Sequence, residues 1–222
     1  QGFIVDAKII ICIPIDGEDY CVPDGGIHIL KQQNLPVCSK EFLNSLKDCT
    51  TIVPADVVFV LDESGSVGQD HFTLSLEAIA ETVDKLAIRH DQIRVALSLF
   101  GGTGTSRTSF NLDTSYDKDI IRQNLMKTSY NKEGNTDLGD ALRYGCEDML
   151  DGYTNGVDTY VVLLTDGKSN RGSTQAGVDT CRSKQVTIIT VGIGDGIDQT
   201  ELLSTVTSER HYINTTYQEL HT

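Results

Sequence analysis

The first chemistry in this chain lies in five residues that follow an apolar run. Asp62-Glu63-Ser64-Gly65-Ser66 succeeds Asp56-Val57-Val58-Phe59-Val60-Leu61, so Asp62, Ser64 and Ser66 set one carboxylate and two hydroxyls at every second position. Oxygen-only donors of low total charge suit a hard divalent cation such as magnesium, which keeps coordination positions for water or substrate. The same residues also make an Asp/Ser turn whose side chains bond local amides ahead of a helix. Taken alone, the stretch fits both readings.

The elements around it decide where these oxygens point. A β-branched run of this length, bounded by a Gly/Ser turn and an amphipathic segment, reads as a buried strand of a parallel sheet. In open α/β sheets, ligands sit outside the carboxyl ends of the strands. A second buried-strand run, Thr159 to Leu164, ends at Thr165-Asp166-Gly167, which puts another carboxylate at the same rim if the two strands are neighbours. Thr136 closes the polar loop Thr128 to Thr136 and opens a helix on that rim. Each has a plainer role available, Thr136 as a helix N-cap and Asp166 as the start of an Asp-Gly turn. The capping role is weakened because position 139, where a capping box wants Glu or Gln, is Gly139.

From Pro54 onward, strands and helices alternate. Helices are predicted over Asp70 to Ala87 (Phe72, Leu76, Ile79, Val83 and Leu86 on one face), Tyr116 to Met126, Asp137 to Leu150, Thr174 to Ser183 and Gln199 to Val206. Strands are predicted at Ile93 to Phe100, a shorter partner ending near Leu112, Val186 to Val191 and His211 to Ile213. Gly101-Gly102-Thr103-Gly104 reads as the turn of a hairpin whose second strand is the sheet edge, because no Lys-Ser/Thr pair or helix follows to make a phosphate cradle. The order predicts an α/β fold: a doubly wound, mostly parallel sheet with one antiparallel edge strand and helices on both faces.

Residues 1–53 differ in kind and are read as a small disulfide-rich N-terminal extension, with 54–222 as the main domain. The extension holds Cys12, Cys21, Cys38 and Cys49, three of the four prolines, and the turn signals Asp16-Gly17 and Pro23-Asp24-Gly25-Gly26. Phe3 to Ile15 and Gly26 to Leu30 are read as strands and Lys40 to Lys47 as a short helix. A unit this small needs its bridges to hold shape, and four cysteines allow three connectivities. The remaining cysteines, Cys146 and Cys181, lie far downstream. None forms CxxC, so a disulfide framework in an oxidising compartment fits better than zinc or redox chemistry. Asn214-Thr215-Thr216 is an acceptor for N-glycosylation. Together these features point to a secreted protein.

The formal net charge of −14 is spread along the 222 residues, which argues against nucleic acid and against anionic membrane surfaces as partners. No uncharged apolar run reaches 18 residues, so membrane insertion is not expected. None of the five His falls in the motifs, and neither GxSxG nor HExxH occurs. Asp62 and Asp166 could hold a catalytic metal, yet no residue is placed as a general base, and the chain is not read as an enzyme.

Three stretches carry a resemblance. Val58 to Ser66, Asn135-Thr136-Asp137-Leu138-Gly139-Asp140-Ala141-Leu142 and Leu163-Leu164-Thr165-Asp166-Gly167-Lys168-Ser169-Asn170, followed by Val191-Gly192-Ile193-Gly194, resemble the von Willebrand factor type A family, also called the integrin inserted-domain family, from Pro54 to the end. The resemblance implies a metal-ion-dependent adhesion site with Asp62, Ser64, Ser66, Thr136 and Asp166 as protein ligands for magnesium, manganese or calcium, magnesium first. A partner carboxylate would complete the octahedron of an ion left electrophilic by so little anionic charge. It also implies that the helices bearing Cys146 and Cys181 share a sheet face, so that these two cysteines pair. Two departures stand out: Asp137 where the family usually has Asn, a change that bears on ion preference, and a closing segment of barely two turns.

The function implied is a secreted adhesion or extracellular-matrix module, of the type in matrilins, collagen VI and invertebrate matrix proteins, that binds a protein ligand such as collagen or another carrier of acidic residues. The alternative is a structural matrix or biomineral-associated protein whose acidic surface binds calcium or packs against other components. A specific site saturates with one ion, whereas a charged surface binds many weakly.

Overall fold

The computed structural model describes residues 11–15, 18–22, 54–152 and 156–221, and the chain divides into two units, Ile4–Val53 and one built on Pro54–Thr222. In the first unit, β1 (Ile11–Ile15) and β2 (Glu18–Val22) form an antiparallel pair whose register sets Cys12 opposite Cys21. The described strand is the last part of the run expected over Phe3 to Ile15. Gly26 to Leu30, Lys40 to Lys47, Cys38 and Cys49 lie outside the described residues.

The second unit is built on a six-stranded sheet of order β5-β4-β3-β6-β7-β8. Its strands are β3 (Ala55–Asp62), β4 (Ile93–Phe100), β5 (Arg107–Phe110), β6 (Asp158–Thr165), β7 (Thr187–Ile193) and β8 (Tyr212–Thr215). All pair in parallel except β5, which turns back along β4 as the antiparallel edge. β3 is buried along its whole length because it lies between β4 and β6 with helices over both faces.

Alternation along β3 feeds two cores. Val58 and Val60 join one with Ala96, Val161, Leu163 and Ile188, together with residues of α3 (Leu138–Glu147), α4 (Thr174–Ser183) and α5 (Gln199–Thr205). Val57, Phe59 and Leu61 point the other way, toward α1 (Gly68–Lys85), which packs beside α2 (Lys118–Met126). The buried stripe of α1 includes the expected Phe72, Leu76, Ile79 and Val83, but the helix starts and stops earlier than its periodicity suggests. Leu86, the last apolar residue of the predicted stripe, is the extended C-cap, with ψ 151°. α2 begins at Lys118 because the Asp117 carboxylate accepts from the amides of Asp119 and Ile120 at 2.8 and 3.4 Å.

α3 and α4 run side by side in the same direction, closer than side chains permit. A Cβ on Gly139 would lie 2.3 Å from the Ser173 carbonyl, and one on Gly177 would lie 2.3 Å from that of Gly139. At the other end the helices are joined by the Cys146–Cys181 disulfide, across a Cα separation of 5.3 Å, as the family resemblance implied. Gly139, which fails as a capping-box residue, is required by this backbone contact.

Candidate metal centre

The C-terminal ends of β3 and β6 meet because Leu61 pairs with Leu164, so Asp62 and Thr165-Asp166 emerge at one rim. Asp62 is 1% exposed and its carboxylate is held by two short bonds. Its Oδ1 accepts from the Ser64 amide at 2.8 Å and its Oδ2 from the Thr165 hydroxyl at 2.6 Å. Ser64 Oγ lies 3.0 Å from Ser66 Oγ, which donates to Asp166 Oδ1 at 2.9 Å. Four of the five expected residues are therefore linked in one hydrogen-bonded chain across the rim, Asp62 through the Ser64 amide and the rest through side chains.

The fifth, Thr136, arrives through its backbone. Its amide donates to Asn170 Oδ1 at 3.1 Å, and its carbonyl accepts from the Asn170 amide at 2.9 Å, which fastens it to the loop after Asp166. Thr136 is buried but does not cap α3. The cap is Asp137, whose carboxylate accepts from the Asp140 amide at 2.9 Å and from the Thr103 hydroxyl, so the glycine-rich turn of the hairpin serves to hold this cap. The Thr136 hydroxyl is thereby released from the plainer role.

A buttress under Asp62 to Gly68 was not legible in the sequence. Glu63 is completely buried and takes a two-pronged ion pair from Arg107 of β5, at 2.9 and 2.7 Å. The same guanidinium donates to the Ser129 carbonyl at 2.6 Å, and the Asn131 amide donates to Glu63 Oε2 at 3.1 Å. The Tyr130 hydroxyl donates to the Ser64 carbonyl at 2.7 Å and accepts from the Gly68 amide at 3.1 Å, bridging both ends of the turn that carries Ser64 and Ser66. Glu133 adds reciprocal backbone bonds to Glu63 and Gly65. The segment 129–136 thus braces the turn that bears Ser64 and Ser66 and is fastened at Thr136 to the loop after Asp166. The only sequence hint was Glu63, whose place between Asp62 and Ser64 turns it to the opposite side of an extended chain; Arg107 and Tyr130 carry no motif.

Burial pushes the Asp62 carboxyl up to about 6, against the lowering effect of the Thr165 and Ser64 hydrogen bonds, and the Asp166 charge adds to the rise. Burial also raises Asp166, opposed by the bond from Ser66. Tyr217, stacked on His71 with centroids 3.8 Å apart, is raised by burial and then by the charges of Asp166 and Asp62. Two carboxylates pushed toward protonation at one rim, beside neutral hydroxyls, fit a hard divalent cation, which would compensate the buried charge. Among the described residues no three His, Cys, Asp or Glu side chains converge.

Comparison with known proteins agrees with this architecture. A family model described as "von Willebrand factor type A domain" matches residues 56–222. The collagen alpha-6(VI) chain of Mus musculus is 30% identical over 187 residues, covering 82% of this chain and 8% of the relative. The collagen alpha-1(XII) chain of Notophthalmus viridescens is 33% identical over 125 residues, 55% of this chain and 13% of the relative. The structure of proximal thread matrix protein 1 from the mussel byssus superposes with a TM-score of 0.70 at 26% identity, covering 76% of this chain and 45% of that one. Another structure of that byssus protein, at TM-score 0.69 and 24% identity, has a zinc-occupied MIDAS motif. The chain spans about a tenth of these collagens and under half of the byssus protein. The α/β sheet, the matched residues and the relatives together establish that this chain belongs to the von Willebrand factor type A domain family.

Proposed function

We propose that this chain is a secreted adhesion module of the extracellular matrix that binds a carboxylate of a protein partner, collagen being the candidate, through a divalent cation held by Asp62, Ser64, Ser66, Thr136 and Asp166. The observation that carries the proposal is the rim itself: a buried carboxylate raised to about 6 and bonded by the Ser64 amide, with the Ser64 and Ser66 hydroxyls leading on to a second raised carboxylate. Neutral hydroxyls leave the ion electrophilic enough to take a further oxygen from outside. Magnesium suits this set first, manganese and calcium next. The zinc-occupied MIDAS motif of the byssus protein and the collagen names of the relatives support a cation-dependent matrix role. The two cysteines buried as a disulfide and the exposed Asn214 on β8 are consistent with secretion and glycosylation. No helix among the described residues is long and apolar enough to cross a membrane.

The test is adsorption to immobilised collagen, with magnesium and with EDTA, for the wild type and Asp166→Ala. The expected result is saturable binding in magnesium that EDTA and the substitution both abolish. Binding that persists unchanged in EDTA would overturn the proposal and favour the acidic surface as the binding element.

A further inference from the structure

The chain carries a net charge of −14, yet exposed cations gather beside the candidate metal centre. Lys132 sits in the buttress segment in the left-handed region, with φ 54°, and its Cγ lies 4.0 Å from where a Cβ on Gly65 would stand. Holding a lysine in that conformation costs about 1 kcal/mol, and here it brings the side chain beside the turn that bears Ser64 and Ser66. Arg171 donates from Nε to Asn135 Oδ1 at 3.3 Å, next to Thr136, and Lys168 follows Asp166 by two residues. All three are exposed, and none pairs with a carboxylate among the described residues, whereas Arg94, Arg107, Arg122, Arg143 and Arg182 all do. Arg171 also lines an open cleft of about 680 Å³ together with Ser169, Asn170 and Glu201. The Glu201 carboxylate is already engaged by the Ser169 amide at 3.0 Å and the Thr174 hydroxyl at 2.7 Å.

We propose that Lys132, Lys168 and Arg171 form a basic collar that reads the partner together with the ion, so that the preferred partner is a polypeptide segment bearing several acidic side chains. This rests on the adhesion reading above. One carboxylate would complete the ion's coordination, while its neighbours along the segment meet the collar and the cleft gives the segment room. A sulfated polysaccharide fits less well, because Glu133 lies next to Lys132 on the same loop and the overall charge repels a long polyanion.

The test uses two synthetic peptides of equal length, one with three glutamates and one with a single glutamate, and heparin, each measured by fluorescence anisotropy in magnesium. The three-glutamate peptide should bind about fivefold tighter, from the two exposed ion pairs its remaining glutamates make with the collar. In K132Q/K168Q/R171Q that advantage should vanish, while single-glutamate binding and calorimetric magnesium affinity stay at wild-type values. Equal affinity for the two peptides, an advantage that survives in the triple variant, or heparin binding tighter than either peptide would overturn the collar. Failure of both peptides to bind in magnesium, or binding that ignores EDTA, would overturn the adhesion reading and the collar with it.

Discussion

Replacing Asp62 by Asn should stabilise the metal-free protein and abolish its response to magnesium. The carboxyl is 1% exposed and is raised from an ordinary value of 3.8 to about 6. At roughly 1.4 kcal/mol for each tenfold change in the proton equilibrium, the ionised form costs about 3 kcal/mol at neutral pH. Asn removes that charge and keeps the acceptor for the Ser64 amide, but the Thr165 hydroxyl loses its acceptor at Oδ2, a loss of about 1 kcal/mol. The net gain is about 2 kcal/mol, or a melting temperature higher by about 4–8 °C for a domain of this size. The pH dependence has a definite sign. A carboxyl whose folded pKa is raised contributes stability that is full below 3.8 and lost as pH rises through about 6. The advantage of Asp62→Asn in EDTA should therefore be largest at pH 7 and shrink as pH falls toward 4. Magnesium at a hundred times its dissociation constant should stabilise the wild type by about 2.7 kcal/mol and the variant not at all. Differential scanning fluorimetry in EDTA and in magnesium, across that pH range, measures each arm. A variant that melts at or below the wild type in EDTA at pH 7, or that gains as much from magnesium, would refute the reasoning.

Replacing Cys146 and Cys181 together by Ala should lower stability by about 3–4 kcal/mol, because the bridge closes a loop of sequence separation 35; thermal melts should show reductant producing the same fall in the wild type and none in the variant. Tyr130→Phe removes the hydroxyl that bridges the Ser64 carbonyl and Gly68 amide, and calorimetry should find magnesium affinity about tenfold weaker with helical circular dichroism unchanged. Gly177→Ala puts a Cβ 2.3 Å from the Gly139 carbonyl and should cost about 2 kcal/mol or more in urea unfolding; because Gly139 lies one turn from Thr136, magnesium binding should weaken as well.

Much of this protein was legible in its sequence because the signals are local. The run Val57 to Leu61 is apolar at every position, which only a strand covered on both faces tolerates, and its partner Thr159 to Leu164 says the same. Alternation of such runs with amphipathic helices settles a parallel sheet, and the positions of Asp62 and Asp166 at strand ends follow from it. Helix ends were less legible, because capping decides them one residue at a time: Asp117 and Asp137 set the starts of α2 and α3, not the apolar period. The buttress was invisible. Arg107 reaches Glu63 across 44 residues and Tyr130 reaches Ser64 across 66, and no spacing rule connects an edge strand and a polar loop to a turn that far away. The sequence supplied the oxygens of the site, because donor chemistry belongs to residue types. Only the tertiary structure decided that Asp62, Ser64, Ser66 and Asp166 share one hydrogen-bonded rim, that Thr136 is spared from capping, and that Asp62 is buried, because desolvation and register depend on what the rest of the chain packs around them.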